Sequence, residues 1–145
     1  MELEELSGTY TYRSYLDLPG PVQSFDDLKF AQLTLRLGVQ PDGTVAGTLI
    51  FPTPAGTEPP TMDMSGRVSA GSPMHVRLTG KGHQGTSTAD FHYEYDGFVL
   101  PQWENGVDQR LVIGGTVLRA KDHGSGASLA RAGVTASFLA VRRDA

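Results

Sequence analysis

Apolar and polar residues alternate with a period of two in eight separate stretches of this chain, and a period of three to four is nowhere sustained. Alternation places every second side chain on one face of an extended strand, so the pattern predicts strands and no long helix. Lys29 to Val39 is the clearest: Ala31, Leu33, Leu35, Leu37 and Val39 interleave with Phe30, Gln32, Thr34, Arg36 and Gly38. The Asp-Gly turn in "PDGT" is a hairpin signal and leads into a strand from Thr44 to Phe51. Further strands are read at Gly8 to Tyr15, Thr61 to Ala70, Met74 to Lys81, Thr88 to Val99, Gln109 to Ala120 and Gly133 to Arg143.

Eight strands with mostly short connections and no helical crossover predict an all-β fold, a single up-and-down antiparallel eight-stranded β-barrel over residues 1–145. Closure removes exposed edges; an open sandwich is the alternative. Eight strands make the smallest barrel that either fills its interior or holds one small ligand. Connections in such a barrel alternate between its two ends. The odd ones (Leu16 to Leu28, Pro52 to Pro60, Gly82 to Ser87, Lys121 to Arg131) are long and rich in Gly and Pro, whereas two of the three even ones, "QPDG" and "GSP" but not "PQWENGVD", are tight. Binding residues concentrate on loops carried by a rigid scaffold. The odd-loop end is therefore the expected mouth, with Leu16, Leu18, Phe25 and Leu28 as a lid, and the even-loop end the floor.

In the sixth strand Phe91, Tyr93 and Tyr95 share one face and His92, Glu94 and Asp96 the other, so the aromatic face is expected inward. With Tyr12, Leu33, Phe51, Met62 and Met64, the mouth-side residues Phe91 and Tyr93 form the expected ligand-binding wall, and Tyr95 is transitional. The alternative is that these side chains simply fill the barrel, since methionine suits irregular ligands and core gaps equally. Arg119, at the mouth end of the seventh strand, is either a charge for an anionic ligand or a solvated strand end. Trp103, the only tryptophan, belongs to an even loop and is read as sealing the floor against Tyr10 and the terminal arginines, or else as marking a second opening.

Two histidine pairs invite a metal or catalytic reading. His75 and His92 lie on neighbouring strands near Glu94, and His83 and His123 lie on odd loops where Asp122, Asp26 or Asp27 could join them. Both pairs are read more simply as surface polar residues and solvated loop residues. The first pair has no convincing third ligand, and the chain has no phosphate loop, nucleophile elbow or zinc-helix motif. No metal and no cofactor are expected.

Composition narrows the function. A length of 145 residues suits one domain that buries roughly two thirds of its unfolded surface. A formal net charge of −4 argues against a nucleic-acid partner, and the absence of cysteine excludes disulfides, a thiolate nucleophile and zinc-thiolate sites. No apolar run approaches the roughly 20 residues of a membrane helix. The acidic opening "MELEELSGTY" lacks the parts of a signal peptide, so a cytoplasmic, membrane-free location is expected. Strands seven and eight carry apolar residues on both faces, Leu111/Val112 and Leu139/Val141. A homodimer through these strands would bury them; the alternative is an N-terminal segment that folds Leu3 and Leu6 over them.

"LSGTY" at Leu6 to Tyr10 opening the first strand, with "FLAVRR" at Phe138 to Arg143 closing the last, resembles the calycin-type barrels, lipocalins and avidins among them. In that family a Gly-x-Trp at the start of strand one lies over the closed end, and a basic residue of the last strand packs on its ring. The resemblance implies these places for Gly8, Tyr10 and Arg142 or Arg143, with Tyr where Trp is usual, and it implies small-molecule binding. The leading expectation is a small-molecule partner, largely apolar, held in the barrel interior. The alternatives are a cofactor-independent cyclase or isomerase that works by positioning its substrate, and an accessory protein whose interior is packed and dry.

Overall fold

The computed structural model describes residues 1–143. Its strands are β1 (Gly8–Leu16), β2 (Lys29–Val39), β3 (Thr44–Ile50), β4 (Thr61–Ser69), β5 (His75–Gly82), β6 (His92–Val99), β7 (Val112–Arg119) and β8 (Thr135–Arg142). Each pairs antiparallel with the next and β8 returns to β1, so the eight close into an up-and-down barrel without a free edge. Among the described residues, no helix is long and apolar enough to cross a membrane.

Two departures from strict alternation shape the mouth. β6 starts at His92 rather than Thr88 because the preceding residues fold the loop instead: Thr88 Oγ1 donates to the Thr61 carbonyl at 2.9 Å, and Asp90 takes a left-handed φ of 64°. In β2 the partner of Ser14 is Ala31 and that of Tyr15 is Lys29, which leaves Phe30 as the extra residue of a β-bulge. A bulge re-aims the side chain it carries. Phe30, expected on the outer face, consequently stands at the rim of the interior.

The interior divides into a packed half and an open half. Tyr12 stacks on Phe138 with ring centroids 5.4 Å apart, and both meet Tyr95 edge-on at 6.2 and 5.9 Å. Phe138 fits because the rung beside it is glycine on two strands, Gly97 paired with Gly115. Beneath this aromatic layer Leu35, Leu49, Met64, Leu78 and Ile113 leave a void of only about 10 Å³. That density is ordinary for a protein core.

The floor is closed by a short 3-10 helix, Leu3–Leu6, which the alternation pattern does not reveal. Leu6 is fully buried and its carbonyl accepts the Tyr10 hydroxyl at 2.6 Å. Arg142 Nη1 donates to the Glu5 carbonyl at 2.6 Å. Its aliphatic stem crosses Gly8, where a Cβ would stand 2.9 Å from Arg142 Cδ. Burial pushes the Tyr10 hydroxyl up to about 12, against the opposing pull of Arg142.

Trp103 does not seal the floor. It is 82% exposed, because the Gln109 side chain accepts the Trp103 N–H at 2.6 Å and donates to its carbonyl at 2.7 Å, folding the sixth loop on itself. Leu6 and Tyr10 already fill the position expected of it. The N-terminal segment likewise covers the end of the barrel and not the outer face of β7 and β8, where Leu139 and Leu118 stay exposed while Leu111 turns inward.

Candidate functional site

Above the aromatic layer lies a cavity of about 490 Å³, open at the end formed by the odd-numbered loops. Its walls follow from the inward registers of β1, β2, β4, β6 and β7. Tyr12, Leu33, Phe51, Met62, Phe91, Tyr93 and Arg119 all line it, as the sequence pattern places them. Met64 does not, because β4 runs from mouth to floor and Met64 lies one inward position deeper, against the Gly80 backbone in the packed half. Tyr95 and Val117 form part of the cavity wall as well.

Among the described residues no lid covers the opening. Phe25 sits in a second 3-10 helix, Phe25–Leu28, and packs on the outward ring of Tyr15 at 4.5 Å. That contact draws the first loop away from the mouth. Leu18 and Phe25 are exposed, and none of Leu16, Leu18, Phe25 and Leu28 lines the cavity.

The polar groups are few and concentrated. Arg119 Nε donates to the Tyr93 hydroxyl at 3.0 Å, and the same hydroxyl lies 2.8 Å from His123 Nε2. A guanidinium only donates, so Tyr93 accepts from Arg119 and has its own proton for His123. His123 stacks on Phe91 with centroids 3.9 Å apart. Arg119 also faces the rings of Phe30 and Tyr93 at 5.4 and 5.7 Å, within cation–π range. Deeper in the wall, Ser14 Oγ is buried without a hydrogen-bond partner at bonding geometry, although it is close enough to influence the Tyr12 hydroxyl. Burial raises the pKa of Tyr12 and Tyr95 well above that of a free tyrosine, so both stay protonated donors.

Burial, and after it the charge of Arg119, hold His123 below its ordinary value near 6.5. A depressed folded pKa means that the unfolded chain takes up the proton first as pH falls. The contribution of His123 to stability is thus present above about pH 6.5 and lost below it. Wild type should lose thermal stability more steeply than His123→Phe as pH falls from about 7.5 to 5; parallel curves would contradict the assignment.

The histidines stand apart, in line with their reading as surface and loop residues. Lys81 is the strand partner of His92 and Phe98 that of His75, so the two histidines stand at opposite ends of the β5–β6 ladder. His75 bonds Asp96 and His92 bonds Glu94, both at 2.6 Å on the outer face. His83 lies beside Asp63 at 3.5 Å while His123 joins Tyr93, and Asp122 accepts the Ala132 N–H. Among the described residues, no group of three His, Asp or Glu side chains is placed to hold a metal. Phe30, Ser14 and Lys29 line the cavity although alternation did not single them out. Ser14 was discoverable, since it continues the inward row of Tyr10 and Tyr12; Phe30 was hidden by the bulge.

Comparison with family models, with curated proteins and with solved structures finds no significant match to the chain.

Proposed function

We propose that this protein binds a small, largely apolar organic molecule in the upper half of its barrel, entering through the odd-loop mouth. The observation that carries this reading is the cavity of about 490 Å³ held open over a layer of locked aromatic rings. At about 30 Å³ per water-sized group, roughly sixteen non-hydrogen atoms would fill it. Apolar walls with a few convergent polar groups are the usual make-up of a small-molecule site. An accessory protein would have no use for such a void. The calycin-like reading is supported by the same end-closing contact that the resemblance implies, Gly8 and Tyr10 beneath Arg142.

A second reading, a cyclase or isomerase, draws on the Arg119, Tyr93 and His123 chain. A neutral imidazole bonded to a hydroxyl at a cavity mouth is equipped to move a proton. Self-association through β7 and β8 is a separate proposal, supported by exposed Leu139, Leu100 and Phe98 gathered around Gly114, with exposed Leu118 further along β7. Sedimentation as a monomer at high concentration would overturn it.

The test of binding is titration with N-phenyl-1-naphthylamine, an uncharged fluorophore of suitable size. Saturable enhancement is expected, lost in Ala31→Trp, which fills the upper cavity. An unsaturable signal, or one indifferent to Ala31→Trp, would sink the reading.

A further inference from the structure

We propose that the ligand carries a carboxylate, seated at the mouth against Arg119 and Lys29 with its apolar body pointing down to the Tyr12, Tyr95 and Phe138 layer. This rests on the binding function above and specifies its ligand. Among the described residues the charged side chains that line the cavity are Arg119 and Lys29, and no Asp or Glu lines it, in a chain whose formal net charge is −4. The described carboxylates of an acidic protein thus all stand outside one apolar pocket whose wall carries two cations.

Arg119 is the sharper of the two observations. It is 91% buried, being only 9% exposed. Among the described residues no carboxylate forms an ion pair with it; the nearby rim acids are engaged elsewhere, Asp90 with Lys121 at 3.0 Å and Asp122 with the Ala132 N–H at 2.6 Å. Of the five N–H donors of a guanidinium, Nε is used by Tyr93 and one Nη1 donor by the Arg131 carbonyl. The other three have no hydrogen-bond partner among the described residues, and Nη2 keeps some accessible surface, so a ligand can reach it. A buried charge is costly unless paired and hydrogen-bonded. Those two bonds together with the rings of Phe30 and Tyr93 hold the guanidinium in place without neutralising it. A ligand anion supplies what is missing, and a planar carboxylate matches the donor fork of arginine. A single carboxylate also suits the site better than a phosphate ester, because most of the cavity wall is apolar and its second cation, Lys29, is exposed.

The experiment is displacement of bound N-phenyl-1-naphthylamine by decanoate, decan-1-ol and decyl phosphate near pH 7.5. Decanoate should compete at least about tenfold more tightly than decan-1-ol in wild type. Arg119→Met should abolish that preference and Lys29→Met should reduce it, each acid-to-alcohol ratio being taken against that variant's own fluorophore affinity, while a β-sheet circular-dichroism spectrum and a cooperative thermal transition report that each variant is folded. If the fluorophore binds wild type while acid and alcohol compete equally, the carboxylate assignment fails and the binding function stands. Tighter displacement by decyl phosphate than by decanoate overturns the choice of carboxylate. No saturable fluorophore binding to wild type removes both.

Discussion

Tyr10→Ala is expected to lower the free energy of unfolding by about 3–5 kcal/mol, the range for truncating a large buried aromatic. Tyr10 has no exposed surface, and its hydroxyl holds the Leu6 carbonyl at 2.6 Å. Removing the ring leaves a hole at the floor and releases the 3-10 helix that closes it. Tyr10→Phe keeps the packing and should cost only about 1 kcal/mol, the net worth of one hydrogen bond. Urea unfolding of both variants separates the ring from the hydroxyl. The titration of Tyr10 provides a further check. Its folded pKa of about 12 exceeds the ordinary value of 10.0, so its contribution is complete below pH 10 and lost as pH rises toward 12. Alkaline destabilisation over that interval should therefore be shallower in Tyr10→Phe than in wild type.

Gly115→Ala should rank beside it, at about 3 kcal/mol or more, while its neighbour Gly114→Ala should stay within about 1 kcal/mol. The contrast is geometric. A Cβ at Gly115 points into the barrel, 2.1 Å from the Asp96 carbonyl oxygen and 2.5 Å from the Gly97 Cα, both of them backbone atoms that move only if β6 and β7 separate. A Cβ at Gly114 points outward and meets the ends of the Leu139 and Leu100 side chains at 3.2 and 3.4 Å, which can swing aside. Because Phe138 rests on the Gly97 and Gly115 rung, the damage should reach the cavity: Gly115→Ala is expected to weaken fluorophore binding and Gly114→Ala to leave it unchanged. Denaturation midpoints and binding titrations measured on the same two proteins decide the matter. Equal stability of the pair would contradict the account.

The barrel was legible because its strands alternate so regularly that burial and period agree. Lys29–Val39 matches its expected bounds residue for residue. The mouth was legible from loop length, since strand parity sorts connections by end. Less visible were features created by single backbone events. One unpaired residue in β2 rotated Phe30 from the outer face to the rim, and no local pattern marks a bulge made by a phenylalanine. Trp103 was misread because its place on an even loop assigned it to sealing the floor, whereas Gln109 captures its backbone in the loop. Met64 shares the inward face of Met62, and only depth along the strand separates a cavity wall from a core. The link between His123 and Tyr93 joins residues 30 positions apart, which periodicity does not pair.

The return of β8 to β1 carries a practical consequence. Arg143 donates its backbone N–H to Thr9 at the floor, so both ends of the described chain leave the barrel on the side opposite the entrance. An affinity tag, a surface tether or a fused reporter can be attached at either end without standing in the path of an incoming ligand. Joining the two ends by a linker and reopening the chain in the exposed Ala55 to Glu58 segment would move new termini to the rim while preserving the pairing of every strand. The molecule is thereby suited to use as an immobilised receptor, presenting its pocket outward from whatever surface holds it.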